Sequence, residues 1–274
     1  MEDRHQTLTL REAADELGVH YMTAYRYVRL GALRAEKSGA VWQVERADLD
    51  RFRNGHTEPP ARGDAPWSDR LEARMLAADQ AGAWQVVEAA LASGMHPSRV
   101  YTEMIGPALN RIGARWEAAS ITIGQAHMAT VVANRLIGRL GPRFARRGRA
   151  KGTVLATTPP GERHGLGLEM LADILRGAGF DVVTLGSDVP LESLQHALGE
   201  VDRLIAVCVS VMVMDDEREV RRTIEAIRVQ ADRVPILMGG AAITSAQVAR
   251  SLGADAWAED GLGAIEELER LTAR

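Results

Sequence analysis

Cysteine is almost absent from this sequence: Cys208 is the single one among 274 residues. One thiol cannot build a disulfide framework, so disulfide-stabilised extracellular domains are excluded and a reducing compartment is expected. No stretch reaches the roughly 18 uncharged apolar residues of a membrane span, and the polar residues 1–6 are unlike a signal peptide. We therefore expect a cytoplasmic protein that makes no contact with a membrane.

An excess of positive charge is also lacking, since 33 Lys and Arg face 37 Asp and Glu and the formal net charge is −4. A DNA-binding surface would therefore have to come from the local placement of basic residues. With 46% apolar and 26% charged residues, the composition is that of folded globular proteins and excludes wholesale disorder. The length suits two or three domains.

Two breaks in composition divide the chain. Residues 54–68 are rich in Pro and Gly and lack periodicity, and residues 143–152 are basic and contain Gly where helical periodicity stops. The sequence therefore predicts a multidomain fold of the α plus α/β class, with domains at 1–55, 69–148 and 149–274 and a linker at 56–68.

The first domain has the spacing of a winged helix-turn-helix. Thr9 and Glu12 have capping-box spacing for a first helix that ends near Gly18. A tight turn then leads to a second helix from about 21 to 30, which is helix-turn-helix spacing. A turn at Ser38–Gly39 predicts a small hairpin, which would be the wing.

The second helix and the wing carry side chains suited to double-stranded DNA, because Arg can read guanine while Tyr and Thr can reach phosphates or a thymine methyl. A small protein-interaction domain is the alternative, since acidic residues in this segment balance the basic ones. The stretches ELGVHYMTAYRYVRLGAL and WQVERADLDRF resemble the MerR/excisionase-type DNA-binding domain. The candidate DNA-binding residues are Tyr21, Thr23, Arg26, Tyr27, Arg29 and Trp42.

The middle domain is predicted to be helical, because its apolar residues recur at three- and four-residue spacing. Pro97 with Ser98 begins one helix, and Thr122 begins another, with Gln125 at capping-box spacing. Four helices with short connections predict a four-helix bundle.

The last domain alternates five short apolar runs with amphipathic stretches of helical length, which is typical of a Rossmann-like (flavodoxin-type) parallel sheet. Residues 157–167 then lie at the carboxyl edge, where such sheets bind ligands. A dinucleotide fold is disfavoured because Gly165 and Gly167 are followed by Met170 and not by the third glycine. A receiver domain would need an Asp where Ser210 stands.

Three short motifs of this domain together resemble the cobalamin-binding signature D-x-H-x-x-G, S-x-L and G-G. They read Glu162-x-His164-x-x-Gly167, then Ser210-x-Met212, then Gly239-Gly240, so Glu and Met replace Asp and Leu. The resemblance implies a cobalamin cofactor with His164 as the lower axial ligand of its cobalt. It also implies that the glycines allow the backbone to approach the nucleotide tail of the corrinoid.

The chemistry of these residue types agrees with that role. Imidazole is a common neutral ligand of transition metals, and a carboxylate two residues away can fix its tautomer. Glu162 would take the carboxylate role and Ser210 would complete the relay. The alternatives are an ordinary exposed loop histidine at 164 and, for Cys208, a small buried apolar residue, which we favour.

The segment SRVYTEMIGPALNRIGARWEAASITIGQAHMAT resembles the helical cap of cobalamin proteins, and within them the CarH/LitR group of light-responsive MerR-type regulators. That group carries W-x9-E-H above cobalt, where the side chains contact the 5′-deoxyadenosyl group. At the same positions this chain has Trp116, Ala126 and His127. Ile123 lies on the same helix face as His127, because the two residues are four apart. Glu117 stands where the group has a second His. For Trp116, packing in the bundle core is the alternative.

These observations predict a cobalamin-dependent transcription regulator that is not an enzyme. The resemblance implies a repressor, acting as a homodimer or homotetramer, whose DNA affinity depends on bound adenosylcobalamin and on light that cleaves the cobalt–carbon bond. Methylcobalamin and hydroxocobalamin are alternative forms of the cofactor. A corrinoid carrier for a methyltransferase is the second hypothesis, and a regulator whose pocket senses another ligand is the third.

Overall fold

The structure is a computed structural model that describes residues 7–17, 19, 21–29, 33–38, 41–53 and 66–272, without the side chains at 22, 23, 26, 29, 51 and 53. The chain divides into two compact units, residues 1–67 with 92–95, and residues 68–91 with 96–274. In the described part of the chain, no helix has both the length and the apolar character that crossing a membrane requires.

The first unit combines short helices with a three-stranded antiparallel sheet of order β1-β3-β2. The predicted capping box is present, since the Thr9 hydroxyl accepts from the Glu12 N–H and the Glu12 carboxylate accepts from the Thr9 N–H. The hairpin prediction is confirmed in its strands, while residues 39 and 40 of its turn lie outside the described residues. The elements are β1 (Thr7–Thr9), α1 (Leu10–Glu16), α2 (Tyr21–Arg29), β2 (Glu36–Ser38), β3 (Val41–Glu45) and α3 (Arg46–Arg53).

The helical region begins and ends its helices where the capping signals predict. His96 and Pro97 begin one helix, and Thr122 caps another through the predicted box with Gln125. The segment Val100–Ile105 is a π-helix that the periodicity did not predict. The α-helices are α4 (Trp67–Leu76), α5 (Gln80–Ala92), α6 (Pro97–Arg99), α7 (Gly106–Glu117) and α8 (Ile123–Leu140), followed by a 3-10 turn at Gly141–Phe144.

The last part of the chain forms a five-stranded parallel sheet of order β5-β4-β6-β7-β8, with helices between the strands. This confirms the Rossmann-like sheet that the sequence predicted. Its elements are β4 (Thr153–Thr157), α9 (Leu166–Gly177), β5 (Asp181–Thr184), α10 (Leu191–Glu200), β6 (Leu204–Ser210), α11 (Glu217–Gln230), β7 (Ile236–Gly239), α12 (Ala246–Ser251), β8 (Ala256–Trp257) and α13 (Gly261–Thr272).

The strand order places a ligand-binding crevice beside β4. The chain passes from β4 to β5 on one side and to β6 on the other, so the order reverses between β4 and β6. At such a switch point the loops that follow the strands diverge and leave room for a ligand. The loops 158–165 and 211–216 therefore meet at this edge of the sheet.

The helical region packs against the sheet through Tyr101. Its ring stacks on Phe144, with centroids 5.1 Å apart, and its hydroxyl donates to the buried carboxylate of Asp173 on α9 at 2.7 Å. Asp173 also accepts from Arg176 at 3.1 Å. A buried polar contact of this kind stabilises one arrangement of the two layers, because the Asp173 oxygen that Tyr101 binds would otherwise lose its donor.

Candidate functional site

Glu162 is the centre of a hydrogen-bond network at the carboxyl edge of the sheet. One carboxylate oxygen accepts from the main-chain N–H of His164 at 2.8 Å and lies 2.6 Å from its ring Nδ1. The other oxygen accepts from the main-chain N–H groups of Met212 at 2.7 Å and Val213 at 3.0 Å. The carboxylate therefore joins the loop after β4 to the loop after β6.

These contacts favour the ionised form of Glu162. Burial alone would raise the pKa of this carboxyl, but the hydrogen bonds from His164, Val213 and Met212 outweigh it and hold the pKa below its usual value. The side chain is only 4% exposed. A buried, ionised carboxylate thus stands next to the imidazole.

His164 is held at one ring nitrogen and open at the rest of the ring. Glu162 binds Nδ1, while the imidazole as a whole is 61% exposed. A neutral imidazole that donates from Nδ1 to a carboxylate presents Nε2 as its basic nitrogen. The pair can therefore offer one oriented nitrogen to a metal from the protein side.

A cavity of about 570 Å³ opens between the helical region and the sheet. Its lining includes Met212, whose main-chain N–H donates to Glu162, but neither Glu162 nor His164. Five of the predicted cofactor residues line it, as do residues of the π-helix and α7. The volume falls in the range of ligand pockets. The predicted residues that line the cavity are Gly167, Ser210, Met212, Gly239 and Gly240.

The glycines of the site differ in what they allow. A Cβ on Gly240 would collide with the main chain of Val211, and its φ of +98° is left-handed, so this glycine is required by the fold itself. A Cβ on Gly167 would meet nothing nearer than the Met212 sulfur at 3.9 Å. Gly167 therefore leaves open space at the cavity wall.

Ser210 does not complete the relay that the sequence predicted. Among the described hydrogen bonds, none joins Ser210 to Glu162 or His164, because both carboxylate oxygens are already bound by the His164, Met212 and Val213 groups. Ser210 is buried at the end of β6 and lines the cavity.

The residues predicted to lie above cobalt, Trp116, Ile123 and His127, lie on the surface of the helical region and do not line this cavity. Trp116 is 47% exposed and Ile123 is 49% exposed, and His127 is exposed one turn further along α8. The core-packing alternative for Trp116 is therefore wrong.

In the helix-turn-helix domain of residues 1–55, called the head below, the described candidate DNA-binding side chains are half-buried. Tyr27 packs on Phe52 with ring centroids 5.0 Å apart, and Trp42 meets Tyr25 edge to face at 6.5 Å. Tyr21 also packs against this core. The side chains of Thr23, Arg26 and Arg29, which carry the base-reading prediction, lie outside the described residues.

Two site residues were missed by the sequence reasoning. The Thr158 hydroxyl donates to the main-chain carbonyl of Glu162 at 3.1 Å and accepts from the Asp188 N–H at 2.9 Å. The Asp188 carboxylate in turn accepts from the Gly161 N–H at 2.7 Å. Both residues follow the ends of strands, and polar residues at those positions are the signal that could have found them.

Comparison with known proteins agrees with this architecture. The B12 binding domain matches residues 152–269, a second B12 binding domain family matches residues 67–140, and a helix-turn-helix domain matches residues 7–57. The predicted helix-turn-helix head and Rossmann-like cobalamin-type domain are thereby confirmed.

Three relatives illustrate the similarity. Over 195 residues, the chain is 26% identical to the trimethylamine corrinoid protein 1 of Methanosarcina acetivorans, covering 69% of this chain and 89% of that one. It is 32% identical to the HTH-type transcriptional repressor CarH of Myxococcus xanthus over 183 residues, covering 66% of this chain and 60% of the repressor. The Methanosarcina barkeri monomethylamine corrinoid protein structure superposes with a TM-score of 0.65 at 22% identity, covering 75% and 98% of the chains.

Proposed function

We propose that this chain is a cobalamin-dependent transcription regulator, not an enzyme, whose helix-turn-helix head binds double-stranded DNA. The chain combines a helix-turn-helix domain with two B12 binding domain matches and is similar to a transcriptional repressor. The prediction of a cobalamin-dependent transcription regulator is thereby confirmed. A cytoplasmic location follows from such a function.

The observation that carries the proposal is the imidazole of His164, held by Glu162 beside the cavity. The oriented nitrogen of His164 would bind the cobalt of a cobalamin, and the residues that line the cavity would hold other parts of the cofactor. When bound, the cofactor would supply a cobalt centre that accepts an imidazole and, in the adenosyl form, a light-labile cobalt–carbon bond.

The residues of the chain hold and orient the cofactor. Glu162 keeps the proton on Nδ1 of His164, because the ionised carboxylate accepts it at 2.6 Å. Gly167 and Gly239 have no side chain, so the cavity wall stays open at these positions for the nucleotide tail of the cofactor. Trp116, Ile123 and His127 are proposed to cover the upper face, since they are exposed on the helical region.

We place the head in the MerR/excisionase type, with α2 as the recognition helix and the β2–β3 hairpin as the wing. Cobalamin between the helical region and the sheet would set their arrangement, and that arrangement would decide whether protomers assemble as dimers or tetramers on the operator. Such control requires the cofactor to favour one arrangement by a few kcal/mol.

The test of cofactor binding is the absorbance spectrum of the purified chain after incubation with adenosylcobalamin and removal of the free compound. We expect a coloured protein, with axial imidazole coordination that is lost in His164→Ala. If the chain stays colourless with every common corrinoid, the proposal is contradicted, and a regulator that senses another ligand replaces it.

Control by light is a separate proposal, because Glu117 and Ala126 replace the His and Glu of the light-responsive group. We expect green light to change both the oligomer size and the DNA affinity of the protein loaded with adenosylcobalamin. Illumination that changes neither property would limit the function to sensing of the cofactor.

A corrinoid carrier for a methyltransferase is the second candidate function. It is supported by the similarity to the trimethylamine corrinoid protein, which covers 89% of that protein. Both functions need His164, but the carrier does not need the head to bind DNA. Loss of a gel shift in Arg26→Ala with unchanged cobalamin uptake would favour the regulator.

A further inference from the structure

A basic groove lies at the edge of the sheet opposite the cofactor site. It has a volume of about 350 Å³ and lies between the segment 145–151 and the residues that precede β5. Since Thr153 of β4 pairs with Asp181 of β5, the groove lies where these parallel strands begin. His164 follows the other end of β4.

The charge of this segment is unlike that of the rest of the chain. Residues 143–151 contain five basic and no acidic residues, whereas the formal net charge of the whole chain is −4. Of the groove residues, Lys151 pairs with Glu269 at 2.6 Å and Arg176 pairs with Asp173 at 3.1 Å. Asp181 is the acidic residue in the lining.

Three guanidinium groups of the groove have no carboxylate partner among the described residues. Arg146 donates to the main-chain carbonyl of Gly177 at 3.3 Å, and no ion pair of Arg147 or Arg149 is found in the described part of the chain. All three side chains are exposed. Arg groups in this state bind phosphate with little competition from the protein.

The basic segment 145–151 is held by contacts at both of its ends. The buried ring of Phe144 stacks on Tyr101 at one end, and the Lys151 N–H donates to the Gly179 carbonyl at 2.9 Å at the other. Arg203 donates to the carbonyl of Ala150 at 2.9 Å. Gly148, with a φ of +111°, provides the left-handed turn between Arg147 and Arg149.

We propose that this groove is a second DNA-binding surface, in which Arg146, Arg147 and Arg149 bind the phosphate backbone of double-stranded DNA without reading its sequence. The inference rests on the proposed function. It is supported by the head, where residues 1–55 carry nine basic and nine acidic residues, so the head by itself has no net charge to attract a polyanion.

The experiment measures the affinity of the full chain for a random-sequence duplex as a function of salt, by fluorescence anisotropy. The variant R146S/R147S/R149S is compared with R222S/R250S/R270S, which removes the same charge from exposed positions on α11, α12 and α13. Three lost phosphate contacts lower the salt slope by almost three, so the variant's affinity falls roughly fortyfold less than the wild type's between about 50 and 200 mM salt. The control is expected to keep the wild-type slope.

An unchanged slope in R146S/R147S/R149S overturns the proposal. If the variant keeps the slope but changes the oligomer size in sedimentation, the groove binds an acidic protein surface, which also overturns it. Arg26→Ala in the head distinguishes this result from failure of the proposed function. If the DNA binding of the wild-type chain depends on Arg26 alone, the groove proposal is overturned and the proposed regulator function stands. If the chain binds no duplex at all, both proposals are contradicted.

Discussion

At the scale of single residues, Glu162 and His164 differ sharply in exposure, with side chains that are 4% and 61% accessible. Glu162, which is buried, accepts from four N–H groups of the site, and His164, which is exposed, is the residue proposed to bind the cofactor. Substitutions at the two positions should therefore separate stability from cofactor binding.

We expect Glu162→Gln to lower the unfolding free energy of the cofactor-free chain by about 2 kcal/mol, because the amide NH₂ faces N–H donors that lose their acceptor. His164→Ala, its comparison, should cost less, because it removes only the ring contact to the carboxylate and leaves the three main-chain N–H groups bound. Urea denaturation measures both. Equal stability of the two variants would show that the network does not hold the loops together.

The same carboxylate predicts a dependence on pH. Because the pKa of Glu162 is lower in the folded chain than its usual value of 4.5, the ionised carboxylate stabilises the fold above that pH. This stabilisation is lost as the pH falls toward the folded-state pKa. The stability difference between wild type and Glu162→Gln should therefore shrink on acidification below about 4.5, and a difference that stays constant would contradict the prediction.

Gly240 and Gly167 give another matched pair. Gly240→Ala should destabilise the chain by about 2 kcal/mol or more, because the residue has a positive φ and its Cβ would meet the Val211 main chain. Gly167→Ala should leave stability unchanged, since α9 accepts Ala, but should weaken cobalamin binding by filling the cavity wall. Thermal unfolding and cobalamin titration separate the two effects.

At the scale of elements, the π-helix Val100–Ile105 joins the helical region to the sheet. Its Tyr101 donates to the buried carboxylate of Asp173, and burial together with that carboxylate raises the pKa of the phenol above its usual value. The hydroxyl therefore stays protonated and remains a donor at any physiological pH.

We expect Tyr101→Phe to cost about 1–3 kcal/mol, because a buried carboxylate oxygen loses its donor. Glu103→Gln on the same π-helix is the control, since the Arg99–Glu103 pair that it breaks is exposed and should contribute little to stability. Urea denaturation compares them. A Tyr101→Phe variant as stable as the control would mean that the ring stacking alone holds this contact.

At the scale of the whole molecule, the proposed function requires coupling between the cofactor site and DNA binding. Coupling is reciprocal, so if adenosylcobalamin changes the DNA affinity tenfold, about 1.4 kcal/mol, the same DNA must change the cobalamin affinity tenfold. Titrations of each ligand with and without the other measure the factor. His164→Ala should abolish both changes in affinity. If neither ligand changes the affinity for the other, the head and the cofactor site are uncoupled.

The sequence by itself determined the local features. The capping boxes at Thr9 and Thr122, the helix that begins at Pro97 and the alternation that makes a parallel sheet were all predicted and are present. The pairing of Glu162 with His164 was also predicted, because two residues of separation limits where the side chains can go. Such features depend on the types of residues within short segments of the chain, which can be read directly from the sequence.

The tertiary structure alone decided which distant groups meet. Met212 and Val213 occupy the Glu162 oxygen that was expected to face Ser210, and Val211 explains Gly240. The exposure of Trp116 was likewise undetermined, since an apolar residue at helical spacing suits a core and a ligand face equally. These outcomes depend on how segments that are far apart in the sequence pack against each other, such as Glu162 against Met212 and Gly240 against Val211. No local pattern in the sequence predicts that packing.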